Sequence, residues 1–224
     1  MQKQNILNEV LDVGRVKSLM GILKLSDEEA YNHCIDVAKI TEFYLEKEMA
    51  IDFYKRTPEE RRSIVMGAVL HDIGKAFLPF GLQYSKKIFT EIEAEIMRTH
   101  PILGSAAIQN CEFDEIVNNI ILMHHANADG TGYPRINNKA YGVSTDLPNV
   151  DIEVPDYVWI VAYADKLDAM ISKRLFKRQK TLNEAWKVLV NISKEGKLPY
   201  DVLGIYKEII MEMDIFKGDK NDYI

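Results

Sequence analysis

Two adjacent histidines, His124 and His125, form the pair of residues in this chain that most strongly suggests chemistry. Neighbouring imidazoles repel each other when protonated, so they converge usefully only on a cation or an anion. A short acidic loop with two glycines follows them and ends in Tyr133-Pro134. We expect all 5 histidines of the chain to build one metal site with two aspartates. The other members of this set are His33, His71, His100, Asp72 and Asp165.

A histidine and an aspartate also stand side by side at His71-Asp72. Successive residues of a helix point about 100° apart. Both side chains can therefore meet one metal cluster only near a helix end, and Gly74 suits a C-terminal cap there. A carboxylate has two oxygens and can bridge two cations, whereas an imidazole gives one neutral nitrogen to one cation. The dipeptide alone fits equally well a helix-end histidine beside a solvated aspartate.

Helical periodicity runs through most of the chain and predicts the elements that would position these residues. Ser26 and Glu29 have the spacing of a capping box and open a helix to about Met49, while Thr57-Pro58 opens a helix that runs into His71. Further helices are predicted at about 90–98, 102–110, 114–125, from 157, 181–196 and 199–213. A loop at 77–87 and a longer segment at 134–155, which could hold a small hairpin, lack this periodicity. We predict an all-α fold, a helical bundle around an inward-facing polar site.

Length and composition bound the class of protein. With 224 residues and 47% hydrophobic content, the chain can form one domain at 26–224 with an N-terminal helical extension at 1–25, broken at Gly14 and Gly21. Two cysteines are too few for a disulfide framework, and the N-terminus is neither a signal peptide nor a membrane span, so we expect a cytoplasmic protein with no membrane partner. The net charge of -6 argues against a DNA or RNA polymer as partner. A small phosphate substrate fits, because bound divalent cations supply positive charge.

Taken together, the motifs resemble the HD superfamily of metal-dependent phosphohydrolases. The loop after the paired histidines makes the chain similar to the HD-GYP family of cyclic di-GMP phosphodiesterases in particular. The resemblance covers roughly residues 26 to 190 and rests on several separated motifs that occur in the family's order. These are His33, His71-Asp72-x-Gly74-Lys75, His100-Pro101, His124-His125, Asp129-Gly-x-Gly-Tyr133-Pro134 and Asp165.

The resemblance implies a binuclear metal centre in an HD-domain helical bundle. One cation would be held by His33, His71, Asp72 and Asp165, and the second by Asp72 with His100, His124 and His125. Some family members hold a third cation through a glutamate at the position of Glu29, although the capping-box spacing with Ser26 explains Glu29 equally well. Imidazole and carboxylate ligands suit iron or manganese, and zinc or nickel could substitute.

The family pattern also implies roles around the cations, which would activate a shared water for attack on phosphorus. Asp72 would be essential to catalysis as the bridging ligand, and Lys75 would neutralise charge in the transition state. Asp168 and Asp129 would orient ligands, although Asp168 could be an ordinary surface carboxylate. Substrate contacts would come from Tyr133, Arg174 and Lys177; a plain turn and a solvated basic stretch are the alternatives.

The chain departs from the family in three places. Ala126 replaces the glutamate that usually follows the paired histidines, residues 77–81 replace the usual lid, and the segment 135–153 is longer than the family's. We therefore expect a phosphodiesterase that acts on a cyclic dinucleotide, cyclic di-GMP first, and gives the linear dinucleotide, GMP or both. An HD phosphohydrolase for another cyclic dinucleotide or a nucleotide phosphate, and a receptor that binds without cleaving, remain alternatives. A homodimer is one assembly to consider, since residues 1–25 could mediate association with a partner.

Overall fold

The computed structural model describes residues 5–51, 56–79, 81–82, 89–134, 153–173 and 178–218, with side chains up to residue 213. This part of the chain is helical, and its one β-type pairing is an isolated bridge between Ala126 and Gly132. The prediction of an all-α fold is confirmed. The helices are α1 (Ile6–Leu11), α2 (Gly14–Ser26), α3 (Glu28–Ala50), α4 (Pro58–Leu70), α5 (Glu91–Met97), α6 (His100–Ile108), α7 (Glu115–Met123), α8 (Asp156–Ile171), α9 (Leu182–Lys194) and α10 (Tyr200–Gly218), with a 3-10 helix at Ile73–Phe77.

Side-chain caps set the beginnings of several helices. Thr57 forms a capping box with Glu60 at α4, and Thr181 forms one with Glu184 at α9. At α3, however, the predicted pairing of Ser26 with Glu29 is wrong. Ser26 is the last residue of α2, and the carboxylate of Asp27 accepts from the backbone N–H of Ala30, one of the unpaired N–H groups in the first turn of α3. A carboxylate at this position also interacts favourably with the positive end of the helix dipole.

Two helix boundaries differ from the prediction for local reasons. The N-terminal segment breaks at residues 12–13, so Gly14 begins α2 and Gly21 lies inside it. Helix α6 begins at His100 rather than at residue 102. Pro101 is accommodated there because a residue in the first turn needs no backbone N–H partner.

The core lies where α3, α4, α7 and α8 pack against one another. Helix α8 is buried along nearly its whole length, from Val158 to Ile171, which explains its strongly apolar sequence. Helices α1 and α2 pack on the same core, and Leu7, Val10 and Leu23 are buried in it. Helices α1 and α2 thus share one hydrophobic core with the rest of the described chain.

An ion cluster joins the ends of three elements on one side of this core. The guanidinium of Arg56, just before α4, donates at 2.9 Å to Glu48 near the end of α3 and at 2.6 Å to Asp156 at the start of α8. Glu48 is only 2% exposed, so its charge depends on this partner.

None of the described helices is long and apolar enough to cross a membrane. The predicted hairpin and most of the segment 134–155 lie outside the described residues.

Candidate metal centre

Five separate elements bring their imidazoles and carboxylates to one point. His33 lies on α3, His71 and Asp72 follow the end of α4, and the other histidines lie at the start of α6 and just after α7. Asp165 is on α8. All of these residues are buried except His125, which is half-buried. The predicted convergence of the five histidines with Asp72 and Asp165 is therefore present.

Asp72 stands between two groups of histidines. Its Oδ1 atom lies 3.1 Å from Nε2 of His100 and 3.8 Å from Nε2 of His124. Its Oδ2 atom lies 3.5 Å from Nε2 of His71 and 3.9 Å from Nε2 of His33. Each carboxylate oxygen thus faces a different pair of imidazoles, which is the arrangement expected of a ligand shared by two cations.

Asp165 spans the same two groups from the other side. One of its oxygens is 3.0 Å from Nε2 of His33, and the other is 3.8 Å from Nδ1 of His125. The donor atoms form two sets. In each set, every donor atom lies within 4.8 Å of the others. These sets are Asp72, His100, His124 and His125, and His33, His71 and Asp72.

Backbone carbonyls fix which imidazole nitrogen faces the centre. In three histidines, Nδ1 donates to the carbonyl three residues earlier: His71 to Ala68 at 2.8 Å, His100 to Met97 at 2.8 Å, and His124 to Ile121 at 2.9 Å. Nδ1 of His33 instead donates to Oδ2 of Asp168, at 2.5 Å. With the proton held on Nδ1, the Nε2 atoms of His71, His100 and His124 present lone pairs to the centre, as metal-binding histidines do. Nε2 of His33 also faces the centre, 3.0 Å from Oδ1 of Asp165.

Two of the inward atoms have no hydrogen-bond partner within the described part of the chain. Nε2 of His71 and Oδ1 of Asp72 are buried and unsatisfied, which is costly unless something else binds them. The Nε2 atoms of His100 and His124 lie 3.3 Å apart with both lone pairs directed inward. Two nitrogens that bind the same cation, each at about 2.1 Å, would be separated by roughly 3 Å. The donor set therefore fits divalent cations.

Burial and charge favour the metal-binding protonation states of Asp72, His124 and His125. For His71, burial would lower the pKa, but Cys34 and Asp72 raise it well above its usual value. Burial alone would raise the pKa of Asp72, but Lys75 and His71 hold it well below its usual range. Desolvation lowers the pKa of His125 to about 3. Desolvation and the neighbouring His125 also lower the pKa of His124 well below its usual value. Ionised carboxylates and neutral imidazoles are the forms that bind cations.

The part of the centre near His33 requires positive charge. Burial would lower the pKa of His33, but its hydrogen bonds to Asp165 and Asp168 raise it. Burial would raise the pKa of Asp165, whereas the hydrogen bond with His33 and the charge of His125 hold it well below its usual range. Two buried carboxylates around one imidazole are stable only with a proton or a cation between them.

Lys75 and Asp168 lie against this centre, although neither belongs to the two donor sets. The ammonium of Lys75 donates to Oδ2 of Asp72 at 2.5 Å. Asp168 accepts from His33 and, at 2.5 Å, from the hydroxyl of Ser172 one turn along α8. Asp168 is therefore fixed by its own helix and in turn fixes His33.

The loop after the paired histidines returns Tyr133 to the centre. Its ring lies 4.5 Å from that of His125 between centroids, at an interplanar angle of 36°. Gly132 makes this return possible, because its φ is +91° and a Cβ there would lie 2.3 Å from the carbonyl oxygen of His125. Asp129, predicted to orient a metal ligand, is exposed and accepts instead from the backbone N–H and hydroxyl of Thr131. It stabilises the loop.

Glu29, the candidate ligand of a third cation, does not join the cluster. Glu29 is exposed in the first turn of α3 and belongs to neither donor set. Arg174 and Lys177 lie outside the described residues. Ala126, which replaces the glutamate that usually follows the paired histidines in the HD-GYP family, is buried and pairs with Gly132.

Gly74, predicted as a helix cap, has a different role. A Cβ there would lie 1.8 Å from the carbonyl oxygen of His100 and 2.6 Å from the backbone nitrogen of Gly104. The 3-10 helix and α6 therefore touch through their backbones, and this contact sets the position of His100 relative to Asp72. The φ of Gly74 is not in the left-handed region that a C-terminal glycine cap adopts.

Sequence reasoning missed the groups that orient the histidines. Backbone carbonyls carry no residue signature, so the partners of His71, His100 and His124 could not be read from residue types. Ser172 was also missed, although its position four residues after Asp168 on a predicted helix was a usable signal.

Comparison with known proteins gives one family and several relatives. The family model of the HD domain matches residues 30–170. The chain is similar to a cyclic di-GMP phosphodiesterase from Thermotoga maritima, with 34% identity over 164 residues, which is 71% of this chain and 40% of that protein. The chain thus spans less than half the length of this relative.

Two solved structures share the fold. One is an HDG"Y"P protein from Bdellovibrio bacteriovorus, with a TM-score of 0.62 and 21% identity over 92% of this chain and 61% of that one. The other is the HD domain of the L. monocytogenes phosphodiesterase PgpH in complex with cyclic-di-AMP. Its TM-score is 0.60, with 16% identity over 87% of this chain and 95% of that one.

Proposed function

The chain belongs to the HD domain family, and from this we propose that it is a metal-dependent phosphodiesterase that hydrolyses a cyclic dinucleotide, with cyclic di-GMP as the preferred substrate. The observation that carries the proposal is the position of Asp72 between two groups of inward-facing imidazoles. A carboxylate shared in this way is the central feature of a two-cation site for phosphoester hydrolysis. The relative named as a cyclic di-GMP phosphodiesterase supports the choice of substrate.

His33, His71, Asp72 and Asp165 would hold one cation, and Asp72 with His100, His124 and His125 would hold the other. When bound, two such cations would acidify water and polarise the phosphoryl group. Nitrogen and carboxylate donors without thiolates suit iron or manganese and also admit zinc or nickel. A third cation would need Glu29 to turn inward from its exposed position.

The chain's own residues would bind the phosphate and direct the reaction. Lys75 is held 2.5 Å from Asp72 and still keeps one-fifth of its side chain exposed, so its ammonium can also donate to a phosphoryl oxygen beside the centre. Asp168 keeps the proton of His33 on Nδ1, so that Nε2, which lies 3.0 Å from Oδ1 of Asp165, faces the centre. The ring of Tyr133 covers His125 and would limit how a substrate approaches.

Further parts of the proposal concern the substrate and the setting. Arg174 and Lys177 are proposed to contact the phosphates or a guanine edge, with arginine in a bidentate geometry. The thiols of Cys34 and Cys111 are free, which supports a reducing cytoplasmic location. The proposal includes a homodimer as a candidate assembly.

The proposal is tested by product analysis. Anaerobically purified protein is loaded with Fe²⁺ or Mn²⁺ and incubated separately with cyclic di-GMP, cyclic di-AMP, 3′,3′-cyclic GMP-AMP and GTP. We expect linear dinucleotide or GMP from cyclic di-GMP, and no product with Asp72→Ala. Tight binding of cyclic di-GMP without turnover in any metal would contradict the proposal and indicate a receptor.

A further inference from the structure

One basic residue beside the centre has no role in the function proposed so far. Lys166 follows Asp165 directly on α8, and its side chain is half-buried. Its ammonium is attracted by the carboxylate of Asp165, and its positive charge disfavours protonation of the nearby His125. Lys75, by contrast, interacts most strongly with Asp72. The two ammonium groups therefore approach the centre at different ligands.

Lys166 differs from Lys75 in having no close partner. Among the described residues, no hydrogen bond and no ion pair within 4 Å engages its ammonium. A half-buried ammonium loses part of its hydration, and this cost is recovered only when an anion binds it. Lys166 is thus a preformed cationic position at the rim of the centre.

A cyclic dinucleotide needs more than one cationic position, because it carries two phosphodiester groups. Only one of them reacts at a time, and it would lie at the metal ligands with Lys75. The other needs a separate positive group within reach of the same site. We propose that Lys166, on the His125 side of the centre, binds the non-reacting phosphate of the substrate; this inference rests on the proposed function.

The test compares two substrates that differ in their number of phosphates. Cyclic di-GMP has two, whereas bis(p-nitrophenyl) phosphate has one and reports the metal centre alone. Lys166→Met keeps the apolar stem and removes the charge, Lys166→Arg keeps the charge, and Lys187→Met removes an exposed charge from α9 as a control. Steady-state kinetics and metal content are measured for the fully loaded proteins.

For Lys166→Met we expect the KM for cyclic di-GMP to rise about 10- to 100-fold, because the substrate loses one charged hydrogen bond. Its kcat, its metal content and its kcat/KM for bis(p-nitrophenyl) phosphate should match the wild type. Lys166→Arg should restore most of the affinity, and Lys187→Met should behave as the wild type.

Two results would overturn the inference. An unchanged KM for cyclic di-GMP in Lys166→Met would show that the ammonium of Lys166 is solvated and does not bind the substrate phosphate. Equal losses on both substrates together with lost metal would show a structural role. A wild-type protein that cleaves bis(p-nitrophenyl) phosphate but no cyclic dinucleotide would overturn the proposed function itself, and the role of Lys166 with it.

Discussion

Gly74→Ala tests whether a backbone contact positions the metal centre. The added Cβ would lie 1.8 Å from the carbonyl oxygen of His100, and real Cβ atoms essentially never come closer than 3.0 Å. The clash involves two backbones, so no side-chain rotation can relieve it. The 3-10 helix and α6 must therefore separate by about 1 Å or more, which also moves His100 away from Asp72.

We expect this separation to reduce both stability and activity. Overpacking of this kind costs about 3 kcal/mol of unfolding free energy. A displacement of about 1 Å at a catalytic centre lowers kcat/KM roughly 100-fold. Urea denaturation of the metal-free protein gives the stability, and turnover of bis(p-nitrophenyl) phosphate after loading with Mn²⁺ gives the activity.

Gly21→Ala is the matched control, because Gly21 lies within α2, is exposed and has nothing within 4 Å of the added Cβ. It should stabilise the protein by about 0.5–1 kcal/mol through helix propensity and leave turnover unchanged. If Gly74→Ala proved as stable and active as the wild type, the contact between the 3-10 helix and α6 would not position His100.

Three further substitutions test individual contacts. Lys75→Met should lower kcat about 10²- to 10³-fold with full metal content, measured by steady-state kinetics and elemental analysis; an unchanged kcat would exclude Lys75 from the reaction. Asp168→Asn should weaken metal binding about 10- to 100-fold in a metal titration, since it loosens His33; wild-type affinity would show that His33 needs no partner. Arg56→Met leaves the buried charge of Glu48 unpaired and should cost about 3 kcal/mol in urea denaturation at constant metal stoichiometry; a loss under about 1 kcal/mol would contradict the importance of this ion pair.

The sequence was sufficient to predict the helices and the set of residues that converge. Periodicity located the helices because most of them bury one face, and α8 was recognised by its continuous apolar sequence. The histidines were informative because the chain has only 5 of them. Each motif that contained a histidine therefore reduced the number of protein families that fit the sequence. His33 and Asp165 are far apart in the chain, yet Nε2 of His33 lies 3.0 Å from Oδ1 of Asp165.

What could not be predicted depends on contacts between backbones and on competing local signals. Ser26 and Glu29 matched a capping box, yet Asp27 is a better cap because it brings a charge to the helix end. The role of Gly74 depends on how α6 packs, which no local pattern contains. Asp129 lies in the family motif, but its nearest donors belong to its own turn, so it binds Thr131 rather than a ligand histidine.

The number of metal ions per chain tests the central claim most directly. Elemental analysis of anaerobically purified protein should give about two divalent cations per wild-type chain. His100→Ala should retain one, and Asp72→Ala should lose both because its carboxylate is shared. A wild-type chain with no tightly bound metal, or Asp72→Ala with both cations retained, would contradict a two-cation centre built around Asp72.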